Sequence, residues 1–396
     1  MKRRICVVLA ALLACLLAGP VGSALAGGDE AIRSLSRDDL MNILVGCAIL
    51  GTGGGGSLDE GIERIDEALA AGKQFRLADI DALDPDTLIG VPYSVGDVSP
   101  QTEANAQEYA RTTRPEENMY LRNLEQLERY LGRKVSAVIC TELGGDNTAI
   151  AFYVAAMTDS LIVDGDPAGR SVPGLQDSTF YLKQIPICPM AVMNESGDGA
   201  IFTSVADDEH AEALVRALTI VSRGLMAVVD HVNTASVLSD AMIHGSISQA
   251  ERIGRAFREA RDSGGDYVAA VLEAGQGREM FRGVVTDSHY ETRDGYTYGE
   301  TALEGEGDWA GHSLRISYQN ENIISWLDGE PYVTVPDLIC CFNLDGAEPR
   351  LNPEAKVGEH EAVIALPAPA EWTTPEGLAV FGPRCFGYDV DYTPFC

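Results

Sequence analysis

Two acidic, glycine-bearing clusters stand out as places where chemistry could occur: Glu142-Leu143-Gly144-Gly145-Asp146-Asn147 and Asp164-Gly165-Asp166-Pro167-Ala168-Gly169-Arg170. Glu142, Asp164 and Asp166 are the candidate catalytic carboxylates, because clustered acids push their proton affinities apart and so separate into an acid and a base. Gly144, Gly145 and Asn147 are candidates for ligand contact, and Arg170 for a two-pronged hydrogen bond to a substrate carboxylate. The competing readings are that both clusters are simple turns and that Arg170 only pairs with Asp164 or Asp166. Cys140 is a conceivable nucleophile, but its position at the end of an apolar run favours packing.

Positioning these residues requires a strand before each cluster and a helix between them. Ala137 to Cys140 and Ser160 to Val163 are short apolar runs of the buried-strand type. The Ala-rich stretch Thr148 to Met157 predicts a helix capped by Asn147. A right-handed parallel unit of this kind brings both loops to one sheet edge, so the two clusters are expected to share a crevice. Upstream, Ser36 to Asp39 has the capping-box pattern. Gly51-Thr52-Gly53-Gly54-Gly55-Gly56 follows that helix and precedes another from about Leu58. It fits GxGxxG formally, but a helix leads into it where a dinucleotide fingerprint needs a strand, and no GK[ST] is present. The run offers backbone amides with no side chains in the way, so Gly53, Gly54, Gly55 and Gly56 are candidate substrate contacts, with tight packing as the alternative.

Farther on, Glu116 to Leu131 predicts an amphipathic helix, and Asp208 to Val229 and Ser248 to Asp262 predict two more. From Phe281 the texture changes to short strand-like runs separated by Gly, Asp and Asn. The predicted fold class is therefore α/β plus β: an amino-terminal α/β domain over residues 34–195, then a carboxy-terminal domain over 196–396 that starts helical and becomes β-rich, as a sandwich or a barrel.

Residues 1–26 predict a signal peptide. Met1-Lys2-Arg3-Arg4 precede an apolar run and then Ala24-Leu25-Ala26, so cleavage after Ala26 and export to the periplasm or exterior are expected. A lipoprotein carrying lipid on Cys15 is the lesser alternative, and no later segment is apolar enough to span a membrane. Sixty acidic against twenty-nine basic residues, a net charge of -31, argue against nucleic-acid partners. With no CxxC or HExxH in the chain, structural zinc has little support, while Glu142, Asp164 and Asp166 could together hold a divalent cation through oxygens. The seven cysteines after the leader, an odd number, suggest free thiols.

The order of several segments resembles the S-methyl thiohydantoin desulfurase-like family. Besides the two acidic clusters, the resemblance rests on Leu50 to Gly56, Gln319-Asn320-Glu321-Asn322, Val335-Pro336-Asp337-Leu338-Ile339 and Gly382-Pro383-Arg384-Cys385-Phe386-Gly387-Tyr388. It implies an amino-terminal three-layer α/β domain followed by a carboxy-terminal barrel-like one, and removal of methanethiol from an S-methylated thiohydantoin or a related small cyclic amide. Gly174 stands where the family pattern suggests Glu, and Pro167-Ala168 where it has Gly-Met; if that Glu touches substrate in the family, the ring or substituent recognised here differs. Asn320, Glu321 and Arg384 join the candidate substrate-binding residues, each with turn formation or an interdomain contact as its alternative. Two other functions remain open at this point: an exported small-ligand binding protein, and a metal-dependent hydrolase.

Overall fold

The computed structural model of the protein describes residues 31–96, 115–222 and 224–395. The predicted leader, with Cys15, lies outside them. Among the described residues no helix is long and apolar enough to cross a membrane.

Eight strands form the first sheet, in the order Ile32–Leu35, Phe75–Ala78, Leu161–Val163, Ala137–Val138, Leu88–Val95, Met226–Thr234, Met190–Asn194 and Gly199–Phe202. Phe75–Ala78, Leu161–Val163, Ala137–Val138 and Leu88–Val95 run parallel, with Val138 opposite Ile162 and Ile89 opposite Ala137; the outer pairs are antiparallel. The expected strand, loop, helix, strand unit is present, with helix Gly145–Met157 linking neighbouring parallel strands. Alternate residues feed two cores, as a period of two requires. Val138, Ile162, Ala227 and Val229 face helices Arg37–Leu50, Met119–Leu131 and Gly145–Met157. Ala137, Val163, Met226 and Val228 face the opposite core, which Ala211 and Val215 of helix Asp208–Ser222 and Leu238 complete.

Two expectations shift here. The helix predicted to run to Val229 stops at Ser222, and Met226–Thr234 is a central strand: Val228, Val229 and Val232 are β-branched and suit a sheet buried on both faces. The first sheet thus continues well past residue 195, and the described residues form one compact unit.

The second sheet is antiparallel throughout, in the order Glu330–Thr334, Glu321–Leu327, Ser313–Gln319, Tyr296–Gly305, Arg278–Arg293, His360–Leu366, Leu338–Asn343 and Glu348–Pro349. The β-rich half expected from the sequence is present, and among the described residues no strand pairing joins the two edges of this sheet. One face packs Cys340, Phe342 and Ile364 into the first core alongside Leu40, Ile253 and Phe257. The helices between the sheets, Arg37–Leu50 and Ser246–Asp262, cross at glycine: a Cβ on Gly46 would lie 1.8 Å from the Ala250 carbonyl oxygen, and one on Gly254 1.9 Å from that of Asn42. The capping box at Ser36 and Asp39 is formed as predicted.

Candidate active site

Three loops and one hairpin meet at the carboxyl edge of the parallel strands. The glycine loop after Leu50 lies against the first acidic cluster so closely that a Cβ on Gly55 would sit 2.4 Å from the Gly144 Cα, and one on Gly145 2.7 Å from the Leu58 nitrogen. The Gly55 carbonyl accepts the amides of Asp146 and Asn147 at 3.0 and 3.1 Å, filling the amino end of helix Gly145–Met157. That helix starts one turn earlier than predicted, capped by Gly144. Asn147 therefore lies inside the first turn, and its side chain serves the site: Oδ1 accepts from the Ser94 amide and hydroxyl, and Nδ2 donates to Glu142 Oε1 at 2.7 Å.

Glu321 enters from the hairpin joining Ser313–Gln319 to Glu321–Leu327, at whose turn Asn320 takes φ 58°. Asn320 Oδ1 accepts from the Thr297 amide, and its carbonyl accepts from Asn352, which also donates its amide to the Gly53 carbonyl. A Cβ on Gly54 would lie 1.7 Å from Glu321 Oε1, so glycine there makes room for the carboxyl group.

The result is a pair of buried carboxyl groups. Glu142 Oε2 accepts from the Val172 amide at 2.8 Å, and Glu321 Oε1 from the Ser171 hydroxyl at 2.8 Å, so consecutive residues hold the two acids. Glu321 Oε2 has no partner among the described residues. Burial, then the nearby Glu142, push Glu321 up to about 8, against the pull of Ser171 and Arg170. Burial raises Glu142 too, but it accepts from Asn147 and Val172, and these donors favour its ionised form. Both acids line a pocket of ≈ 1930 Å³, together with Gly55, Gly56, Asn147 and Asn320.

The other expected site residues lie outside that lining. Gly53, Gly54, Gly144 and Gly145 stand behind it as packing glycines. Asp164 accepts from the Ser248 amide and hydroxyl and so caps the start of helix Ser246–Asp262. Asp166 is fully buried; its Oδ2 accepts the Ala168 and Gly169 amides at 2.9 and 2.7 Å, and burial pushes it up to about 7. Its strand Gly165–Asp166 pairs with Ile243–His244, and the second loop meets the first only farther on, where the Leu143 amide donates to the Arg170 carbonyl. A shared crevice for Glu142, Asp164 and Asp166 does not form, and among the described residues no group of three or more His, Cys, Asp or Glu is placed to hold a metal ion.

Arg170 holds no substrate position either. It is 0% exposed, and its donors reach the carbonyls of Ser171, Pro336, Asp337 and Asn322 and the Thr52 hydroxyl. It ties the glycine loop to the second sheet, and its charge lies near Glu321 and Glu142. Cys140 is fully buried, its thiol pushed well above the ordinary value by burial, and the six described cysteines are all free thiols.

Both halves of the chain match known family models: residues 38–204 match the S-Me-THD-like N-terminal domain and residues 206–395 the S-Me-THD-like C-terminal domain. The chain belongs to the S-Me-THD-like family. A comparison with curated proteins gave no match. Among solved structures, a protein from Chromobacterium violaceum shares the fold with a TM-score of 0.69 at 24% identity, over 92% of this chain and 100% of that one.

Of the motifs that carried the S-Me-THD-like resemblance, the last is peripheral: Arg384 is exposed and paired with Asp389 and Asp391 on the surface. The pocket of this S-Me-THD-like chain also contains residues that sequence reasoning missed. His231, at a bulge in Met226–Thr234 with φ 41°, is buried between Asp230 and Asp208, with Tyr93 donating to Asp230 Oδ2 at 2.6 Å. Burial works against its charge, yet the two carboxylates prevail and push it up to about 9. A lone histidine in an apolar strand carries no spacing signal, since its partner Asp208 is twenty-three positions earlier in the chain.

Proposed function

We propose that the protein hydrolyses the carbon–sulfur bond of an S-methylated thiohydantoin or a related small cyclic amide, with Glu142 as base and Glu321 as acid. The supporting observation is the carboxyl pair itself: two buried acids on one pocket, one with an unpartnered oxygen and a proton affinity raised to about 8. At neutral pH such a pair holds a shared proton, ready to give one and take one.

In this reading Glu142 takes a proton from water as its oxygen bonds to the sulfur-bearing ring carbon, and Glu321 protonates the adjacent ring nitrogen. The tetrahedral adduct then collapses: the carbon–sulfur bond breaks, the carbonyl forms, and the departing sulfur takes the hydroxyl proton through a carboxyl group. Water's two hydrogens end on the ring nitrogen and on methanethiol, and its oxygen becomes the new carbonyl.

The test is product analysis. The purified protein should release one methanethiol per hydantoin formed from an S-methyl thiohydantoin, followed with a thiol reagent. Retained hydantoin binding with no thiol release from any such substrate would leave a binding protein in place of the enzyme.

Export belongs to the same proposal, on the strength of the basic start and Ala24-Leu25-Ala26. Amino-terminal sequencing of the mature protein should begin at Gly27, and an intact Met1 on the active protein would overturn it.

A further inference from the structure

Arg216 lines the pocket and forms an ion pair with Glu212, one helical turn earlier on helix Asp208–Ser222; each side chain is only 7% exposed. Burying two charges costs hydration that their attraction alone seldom recovers, so such a pair depends on further hydrogen bonds around it. Here they are complete. Nε and Nη2 reach Glu212 Oε1 at 2.8 and 2.7 Å, Nη1 donates to the carbonyls of Gly96 and Gly295 at 3.0 Å each, and Nη2 donates to that of Pro173 at 3.2 Å. The Tyr296 ring centre lies 4.1 Å from the guanidinium carbon, and the Tyr296 hydroxyl donates to Glu212.

These contacts lead to both members of the carboxyl pair. Toward Glu142, Pro173 follows Val172, whose amide donates to Glu142 Oε2, and Glu212 Oε2 accepts from the Leu175 amide at 3.1 Å. The ion pair thus grips this segment on both sides of Gly174, and the segment begins with Ser171, the donor to Glu321 Oε1. Toward Glu321, Gly295 and Tyr296 precede Thr297, which accepts from the Asn320 amide at 2.8 Å and donates to Asn320 Oδ1 at 2.9 Å; Asn320 directly precedes Glu321. A Cβ on Gly295 would lie 2.4 Å from Arg216 Cδ, so the turn closes directly on the arginine. The charge of Arg216 also lies near Glu321. Glu142 comes from the edge of the first sheet and Glu321 from a hairpin of the second, so neither sheet alone fixes how far apart they stand.

We propose that the Glu212–Arg216 pair positions the two acids, tying segment 171–175 to the turn at Gly295 and so setting the separation at which Glu142 and Glu321 face one substrate ring. This rests on the reading of those two residues as base and acid. A guanidinium suits the task because its planar fork fixes several acceptors in set directions, which an ammonium group does not.

The test combines steady-state kinetics of thiol release across pH with hydrogen exchange of the 171–175 amides and thermal melting. Arg216→Lys keeps the cation but loses the fork, and Arg216→Met/Glu212→Gln removes both charges together. Tyr296→Phe is the mildest variant, losing only the hydroxyl that reaches Glu212. In the first two, kcat should fall about tenfold to a hundredfold, the range for misplaced reacting groups, with KM within about threefold and faster exchange at 171–175. Tyr296→Phe should show the same changes in smaller measure. The Val172 amide favours the ionised form of Glu142, so loosening it should move the acid limb of kcat/KM to higher pH. Asn147, Arg170, Asp166 and Glu321 also bear on Glu142, and all four are unaltered in these variants. The alkaline limb, set by Glu321, should rise further in the double variant, which removes a nearby positive charge, than in Arg216→Lys, which keeps it. Parent-like kcat, pH limbs and exchange in the folded variants would overturn the positioning role and leave the acid–base reading standing. A lowered melting temperature with kcat and both limbs unchanged would likewise overturn it, leaving the pair a purely structural one. No thiol release by the unmodified protein from any such substrate would overturn the acid–base reading and the positioning role with it.

Discussion

The two acidic glycine loops are near twins in sequence and opposites in the fold. Each follows a parallel strand of one sheet, each carries carboxylates beside glycine, and each touches a helix start. In the Glu142 loop the helix amides are satisfied by the Gly55 carbonyl, so the carboxylate next to them stays available and turns to the pocket. In the Asp164 loop the Asp164 carbonyl takes only the Gly245 amide, and the carboxylates themselves satisfy the amides of Ser248, Ala168 and Gly169. A carboxylate near a helix start is available for chemistry only where something else caps the backbone.

The widest gap between the loops should be in catalysis. Glu142→Gln and Glu321→Gln should each lower turnover by about two to four orders of magnitude with the fold retained, the range for losing a general acid or base. Asp164→Asn and Asp166→Asn should leave turnover within a few-fold and act on melting instead, by about 0.5–2 kcal/mol for a weakened cap. Thiol release and thermal melting on all four variants decide it. An Asp166→Asn protein that melts normally but has lost turnover would erase the distinction between the loops.

Much of this arrangement was legible before the fold. The parallel unit around residues 137–163 follows from two apolar runs and the Ala-rich stretch between them, because a strand buried on both faces has few other compositions available. Glu142 and the glycine loop were legible as members of one site, since sheet-edge geometry gathers such loops. Three things were not legible. That Glu321 and not Asp164 or Asp166 joins Glu142 depends on a hairpin about 180 residues farther along the chain, and single-sequence periodicity carries no information on such pairings. The burial of Arg170 depends on carbonyls of Pro336, Asp337 and Asn322 converging on it. The strand from Met226 was absorbed into the preceding helix, because apolar residues on both sides of the break masked the change of period.

A smaller effect separates the pocket pair from a structural acid by pH. Glu321 sits at about 8 in the folded chain, against ~4.3 for a free glutamate, because burial and Glu142 disfavour its charge. Between those values the folded chain holds a proton that the unfolded chain has lost, so stability is greatest at low pH and declines as pH rises toward about 8. Each unit of elevation is worth about 1.4 kcal/mol, so Glu321→Gln should melt higher than the parent at pH 8 and lose that advantage near pH 4. The parent's kcat/KM should fall above about pH 8 as the acid is lost. A melting difference independent of pH would mean that Glu321 does not carry the buried proton.

The smallest effect belongs to Arg384, a charge in a family-like motif that lies on neither loop. Its ion pairs with Asp389 and Asp391 are solvent-exposed, where screening and side-chain entropy leave little net stabilisation. Arg384→Ala should therefore move stability by no more than about 0.5 kcal/mol and leave turnover and hydantoin affinity unchanged. The contrast with Arg170 sharpens the point: two arginines in comparable Gly-containing motifs differ because one has backbone carbonyls converging on it and the other faces water. Melting and calorimetry on Arg384→Ala provide the check. A marked loss of ligand affinity would show that the 382–388 segment reaches the pocket in a form of the protein that differs from this one.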